Sequence, residues 1–263
     1  EDTVVTVLIT SEFDPSKSST IDITVKKTLP KETLSETFTA DVTAPLTIAA
    51  DKFEGTPAYV YYGNTALQFA FDTTDGLTLA ASEVAKIGYG ETKAIRVITD
   101  QKDYTVNLDV YSKIITTKED FLNMKSFLTA KTEFPGTRYD GRIALGANID
   151  LENAKFTTME GAAASGASWD SYGFHGTFDG KGYTVSNLGG FISVRLNGAA
   201  ITNGIFGIIG ANGVIKNVAF TNATIDGISC GLFAMRSHGT FENVYVQGTR
   251  KATDNYLGAL VGL

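Results

Sequence analysis

One four-residue pattern returns three times in the last third of the chain and limits what it can fold into. Gly204-Ile205-Phe206-Gly207, Gly231-Leu232-Phe233-Ala234 and Gly258-Ala259-Leu260-Val261 begin 27 residues apart. A second signature, Gly213-Val214-Ile215-Lys216-Asn217-Val218, returns after 26 residues as Gly239-Thr240-Phe241-Glu242-Asn243-Val244. A related run, Gly182-Tyr183-Thr184-Val185-Ser186-Asn187-Leu188, places its Asn 30 residues before Asn217. A fixed period of this length marks a stacked-repeat architecture. The apolar runs inside it are too short and too interrupted by Gly for helices.

The pattern predicts three short strands per turn of a right-handed parallel β-helix, with Gly at bends where φ > 0 or close approach is needed. Asn187, Asn217 and Asn243 are expected to stack as one side-chain ladder. Ile205 and Phe206, as neighbours on a strand, are expected to divide between core and surface.

The run from Phe174 to Leu188, with Gly176-Thr177-Phe178-Asp179-Gly180-Lys181-Gly182 at its centre, resembles the opening of the GLUG-motif repeat proteins. The later Gly-Ile-Phe-Gly type copies resemble the motif that names the family, with Ala234 departing from its usual Gly. The resemblance covers roughly residues 112–263. It implies a bacterial cell-surface adhesin, exported, with immunoglobulin-like modules beside the β-helix, and it supplies no catalytic residues.

Residues 1–112 carry alternating strands separated by turn signals and no helical periodicity. Val5–Thr10, Ile21–Val25, Phe38–Val42, Tyr59–Tyr62, Leu67–Phe71 and Tyr104–Val110 are the clearest. Such a density of strands predicts an immunoglobulin-like β-sandwich. The whole chain is therefore expected to be all-β: a sandwich over 1–112, then the β-helix over 113–263. Between them, Thr116 and Glu119 have capping-box spacing, and Phe121, Met124 and Leu128 share a face. They predict a helix at about 117–129 that closes the N-terminal end of the β-helix.

Arg142–Leu151 reads as the first coil. The stretch between Leu151 and Phe174, rich in Gly, Ala and Ser, reads as a projecting loop, and Gly189–Asn203 as a second, smaller insertion. Gly258–Leu263 reads as the start of a further coil, whose open edge is expected to be covered by more coils or by another copy.

Charge narrows the partners. The chain has 22 basic and 29 acidic residues, a net charge of −7, with no basic cluster. Nucleic acid and an anionic membrane surface are thereby disfavoured. No apolar run is long enough to span a bilayer, so membrane insertion by this chain is not expected, and any export signal would already be removed. Cys230 is the only cysteine, so an intrachain disulfide is excluded.

An enzyme of the polysaccharide lyase or hydrolase type is the alternative reading, because parallel β-helices host such sites. Asp150, Glu152, Asp170, Asp179, Asp226 and Glu242 are its candidate carboxylates, but glycoside cleavage needs a convergent pair about 5–10 Å apart. Asp179 and Asp226 each precede Gly, which is ordinary turn chemistry. His175 and His238 lie in no metal-ligand spacing, and no cofactor is implied; turn carboxylates leave a calcium site open. Trp169 and Tyr172 are the candidate ligand-binding residues, since loop aromatics stack on sugars or partners. Tyr61 and Tyr62 are adjacent on a strand, which puts one ring outward. The leading expectation is a noncatalytic surface protein that binds an extracellular glycan or a surface protein through the β-helix, with the immunoglobulin-like domain as stalk or spacer. A third reading is an assembly component joined through its last coil.

Overall fold

The computed structural model describes residues 3–25, 28–133, 136–160, 171–194 and 203–262, and the chain is mostly β-strand. It opens with β1 (Thr3–Thr10) and β2 (Ser18–Val25). These pair only with each other, in antiparallel register, as a separate two-stranded sheet. The hairpin therefore takes no part in the sheets that follow, although Val5–Thr10 and Ile21–Val25 were expected among the strands of a sandwich over 1–112.

Eight further strands are β3 (Lys31–Asp41), β4 (Leu46–Ile48), β5 (Pro57–Tyr62), β6 (Thr65–Leu67), β7 (Ala70–Asp72), β8 (Gly76–Leu79), β9 (Gly90–Thr99) and β10 (Asp103–Tyr111). They make one sheet in the order β3-β10-β9-β5-β6 and a second in the order β4-β8-β7. All their pairings are antiparallel except β3 with β10. The sheets share one core, in which Ile48, Leu77 and Leu79 belong to the smaller sheet and Val60, Val97, Val106 and Leu108 to the larger. The alternation read in Tyr104–Val110 is kept, since Tyr104, Val106, Leu108 and Val110 are buried while Thr105 is exposed. Two expectations are corrected. The run Leu67–Phe71 is split between β6 and β7, which lie in different sheets. A helix, α1 (Ala81–Ile87), stands where none was expected, burying Val84 and Ile87 three residues apart; seven residues are too short for a periodic signal to rise above its neighbours.

From Lys113 the organisation changes. The strands are β11 (Lys113–Ile115), β12 (Thr129–Thr132), β13 (Thr137–Asp140), β14 (Arg142–Leu145), β15 (Ile149–Asp150), β16 (Phe156–Thr157), β17 (Gly173–Phe174), β18 (Thr177–Asp179), β19 (Thr184–Ser186), β20 (Phe191–Ile192), β21 (Gly207–Ile209), β22 (Val214–Cys230), β23 (Ala234–Ser237) and β24 (Thr240–Leu257). β12 is antiparallel to β13. Successive rounds otherwise pair in parallel: β11-β14-β18-β22-β24, β13-β17-β21-β23, β15-β19-β22 and β16-β20.

The repeated motif stacks backbone on backbone. Ile205 N–H donates to Leu232 C=O at 2.9 Å and Leu232 N–H to Ala259 C=O at 3.1 Å; Phe206, Phe233 and Leu260 repeat this one position on. Ile205 and Phe206 are both buried, as are Leu232 and Phe233. The expected division between core and surface fails because this segment is a bend and not a pleated strand: Ile208 N–H turns back to Phe206 C=O at 2.9 Å. Gly204 opens it at φ 109°, where an added Cβ would meet Ala234 N at 2.8 Å.

The rounds are not uniform. Ile143, Phe178, Ile215 and Phe241 occupy equivalent places (178 − 143 = 35, 215 − 178 = 37, 241 − 215 = 26). At this position the short period holds only between Ile215 and Phe241. The two longer rounds contain residues 161–170 and 195–202, each lying in sequence between the β16/β20 pair and the β17/β21 pair.

The expected helix is shorter than 117–129. It runs as α2 (Lys118–Leu122), followed by a 3-10 turn at Met124–Phe127. Thr117, not Thr116, is the N-cap, and its side chain accepts from Asp120 N–H at 3.1 Å. Phe121 and Met124 are fully buried. The Phe121 ring lies 5.7 Å from Phe156, 6.4 Å from Phe178 and 6.2 Å from Phe220, which belong to three successive rounds.

Candidate functional site

Of the two aromatic candidates, Tyr172 is not at the surface. Tyr172 is fully buried. Small neighbours in sequence suggested a projecting loop, but the ring, just before β17, is closed off from solvent. Trp169 lies outside the described residues.

The carboxylates are used by the turns. Asp150 accepts from Glu152 N–H and from Asn187 Nδ2, both at 2.8 Å, and these bonds, Asn187 first, lower its pKa. Asp179 accepts from Lys181 N–H at 3.0 Å and Asn217 Nδ2 at 3.1 Å. Asp226 accepts from Phe191 N–H at 2.7 Å and meets Lys155 at 3.4 Å. Glu152 pairs with Lys118, Glu242 is exposed, and Asp170 lies outside the described residues. His175 is buried under Gly210, where a Cβ would come within 2.0 Å of Nε2. Among the described residues no group of three or more His, Cys, Asp or Glu could hold a metal ion. Cys230 is buried, and desolvation, with Asp226 adding to it, pushes its thiol up to about 11.

Asn side chains form two ladders, not one. Asn243 Nδ2 donates to Asn217 Oδ1 and Asn217 Nδ2 to Asp179 Oδ1, each at 3.1 Å. Separately, Asn222 Nδ2 donates to Asn187 Oδ1 at 2.6 Å, and Asn187 to Asp150 as above. Asn187 thus sits at the corner after β19, and Asn217 and Asn243 at the corner after the β18-equivalent strand. All four Asn residues have φ between 50° and 58°. The left-handed corner selects Asn at both places, so similar local sequence did not mean the same corner.

The densest polar constellation joins the two cores. β10 runs into β11 without a linker: Ser112 N–H donates to Arg142 C=O at 2.7 Å, and Arg142 N–H to Ser112 Oγ at 3.0 Å. Asp41, at the end of β3, accepts from Ile114 N–H at 2.7 Å. Arg142 heads β14 and reaches back. Its Nη1 donates to Asp109 Oδ1 at 2.6 Å and Val110 C=O at 3.0 Å, and Nη2 meets Glu91 at 3.1 Å. Its guanidinium lies 4.4 Å from the centre of the buried Tyr111 ring. Lys181, projected by a left-handed turn at φ 52°, brings Nζ to 5.0 Å from the same ring and 3.5 Å from Asp109. Tyr111 Oη donates to Asp109 Oδ2 at 2.8 Å.

The electrostatics follow from this packing. Burial works to raise Asp109, but the bonds from Arg142 and Tyr111 and the nearby cations outweigh it and hold the carboxyl below its usual range. Burial pushes the Tyr111 phenol up, with Asp109 adding and Lys181 opposing. Desolvation opposes Lys181, but Tyr111, Asp109 and Asp179 raise it overall. Partnered charges in a partly buried cluster suit a joint that fixes geometry. Sequence reading placed Arg142 only at the head of a coil. Its partners lie in other elements, and the one local signal was Tyr111, a large ring at the strand's end.

No protein-family model matches the chain, and no solved structure matches it. One similar curated protein is Halomucin of Haloquadratum walsbyi (strain DSM 16790 / HBSQ001), 40% identical over 97 residues. The matched segment is 36% of this chain and 1% of Halomucin. No helix among the described residues is long and apolar enough to cross a membrane.

Proposed function

We propose that the chain is part of an exported cell-surface protein of the GLUG-motif type, noncatalytic and adhesive towards an extracellular glycan or surface protein. In this reading the facing sheets β3–β10 are an immunoglobulin-like sandwich and the stacked rounds from β11 onward a right-handed parallel β-helix. The parallel pairing of β3 with β10 and the round-on-round register from β14 to β24 support the fold reading. The observation that carries the function is the joint: Arg142 and Lys181 clasp Tyr111 and Asp109, so that spacer and coils act as one stiff presenting body. The motif at residues 174–188 and the partial likeness to Halomucin are consistent with a surface setting, by analogy only.

The test is a glycan and matrix-protein binding array run beside polysaccharide-degradation assays on the same protein. Saturable binding with every polymer left uncut is the expected result. Release of reducing ends or unsaturated products, lost in Asp150→Ala or Asp170→Ala, would transfer the assignment to a carbohydrate-active enzyme.

A further inference from the structure

Along β5, Val60 is buried and Tyr62 packs against the core, so Tyr59 and Tyr61 stand on the opposite, outer face of the five-stranded sheet. Tyr59 is 58% exposed. The two rings are stacked, 6.3 Å between centroids and 24° between planes. The strand register extends this row: Tyr61 is opposite Arg96 on β9, and Arg96 is opposite Thr105 on β10, which is exposed. In the next row, Tyr59 is opposite Ile98, and Ile98 is opposite Asp103.

Arg96 is not a free cation. Its Nε and Nη2 each donate at 2.7 Å to the two oxygens of Asp103, while the side chain stays 54% exposed. The bond raises Arg96 and, as the largest cause, lowers Asp103, with Lys31 at the sheet edge a lesser influence. Asp103 itself is buried, so the face offers two aromatic rings, the exposed edge of a guanidinium whose charge is cancelled, and a hydroxyl.

We propose that this face, with Tyr59 and Tyr61 flanked by the Arg96–Asp103 pair and Thr105, is a binding platform for a neutral glycan. A pyranose presents C–H groups to an aromatic ring and hydroxyls at its rim. The rings take the first, and the exposed edge of Arg96 and the Thr105 hydroxyl exchange hydrogen bonds with the second. Charge complementarity selects the ligand: nucleic acid and acidic polymers gain their affinity from uncompensated cations, and the one guanidinium here is neutralised in place. The inference rests on the adhesion reading for its choice of an extracellular glycan. It moves the contact from the coils to the sheet, on residues no other part of that reading uses.

The intact chain would be run by affinity electrophoresis against xyloglucan, mixed-linkage β-glucan and galactomannan, with alginate and pectin as acidic polymers, at low and high salt. The expected result is retardation by at least one neutral polymer, little changed by salt. Tyr59→Ala and Tyr61→Ala are each expected to weaken it at least tenfold, while Tyr59→Phe and Tyr245→Ala, an exposed ring on β24, retain it. Circular dichroism of each variant establishes that the fold is kept. Retardation unaffected by Tyr59→Ala and Tyr61→Ala would overturn the platform and leave adhesion standing. Binding confined to acidic polymers and abolished by salt would overturn it through its charge argument. Failure with every polymer, set against success or failure on the matrix-protein array, separates a wrong platform from a wrong adhesion reading.

Discussion

The guanidinium of Arg142 lies 4.4 Å from the centre of the Tyr111 ring, and its Nη1 donates to Asp109 at 2.6 Å. One side chain of the coil stack is thus held by two residues of the last strand of the sheet. Arg142→Ala should cost about 3–5 kcal/mol, because it leaves Asp109 partly buried without its main partner. Arg142→Lys keeps the charge but loses the fork and the flat stacking surface, and should recover only part. Denaturant unfolding measures the loss. Small-angle scattering should show a broader distribution of shapes for Arg142→Ala, whereas an unchanged profile would mean that backbone continuity alone sets the geometry.

Acid should loosen the same region. Asp109 is held low, and so is Asp140, where burial is outweighed by Arg138 and Lys131. A carboxyl lowered in the folded state contributes stability above its unfolded pKa, about 3.9, and that contribution is lost as pH falls through the folded values. The thermal midpoint should be nearly flat from pH 7 to about 5 and fall steeply below about 4. In Arg142→Ala the Asp109 share is absent, so the fall should be shallower.

The ladder from Asp179 through Asn217 to Asn243 separates two effects of one residue. Asn217 has φ 55°, and its amide spans two rounds. Asn217→Gly keeps the left-handed corner and loses the bonds, costing about 1–2 kcal/mol. Asn217→Ala adds backbone strain of about 1–2 kcal/mol. Equal losses in the two variants, by denaturant titration, would show that the corner contributes no conformational selection.

Phe121 should be the most sensitive position of α2. It is fully buried against rings from three rounds. Phe121→Ala should cost about 3–5 kcal/mol from lost burial and the cavity left behind. Leu122, only partly buried, should tolerate Ala with a smaller loss. Hydrogen exchange in β14 and β18 should rise in the first variant and not in the second.

How far the structure was legible depends on the range over which each signal acts. The Gly204, Gly231 and Gly258 copies announced a stack because each round repeats the same bend, and the backbone bonds from Ile205 to Leu232 and from Leu232 to Ala259 follow that spacing. Strand alternation in Tyr104–Val110 was equally plain, because burial on one face writes a period of two into the residues themselves. The helix α2 was visible in its apolar face, but its end was not, since Asn123 gives way to a 3-10 turn within one residue of the α-helical segment.

By itself the sequence determined that the chain is β-rich, that its last part repeats, and that Asn187, Asn217 and Asn243 suit left-handed corners, because periodicity and φ preference are properties of neighbouring residues. Only the tertiary structure decided which corner each Asn occupies, that Tyr172 is buried, and that Arg142, Lys181, Tyr111 and Asp109 meet. Those outcomes depend on round lengths of 35, 37 and 26 residues (178 − 143, 215 − 178, 241 − 215) and on register between distant strands. Lys181 and Asp109 are 72 residues apart, and only the closing of sheet and stack around Tyr111 makes them neighbours.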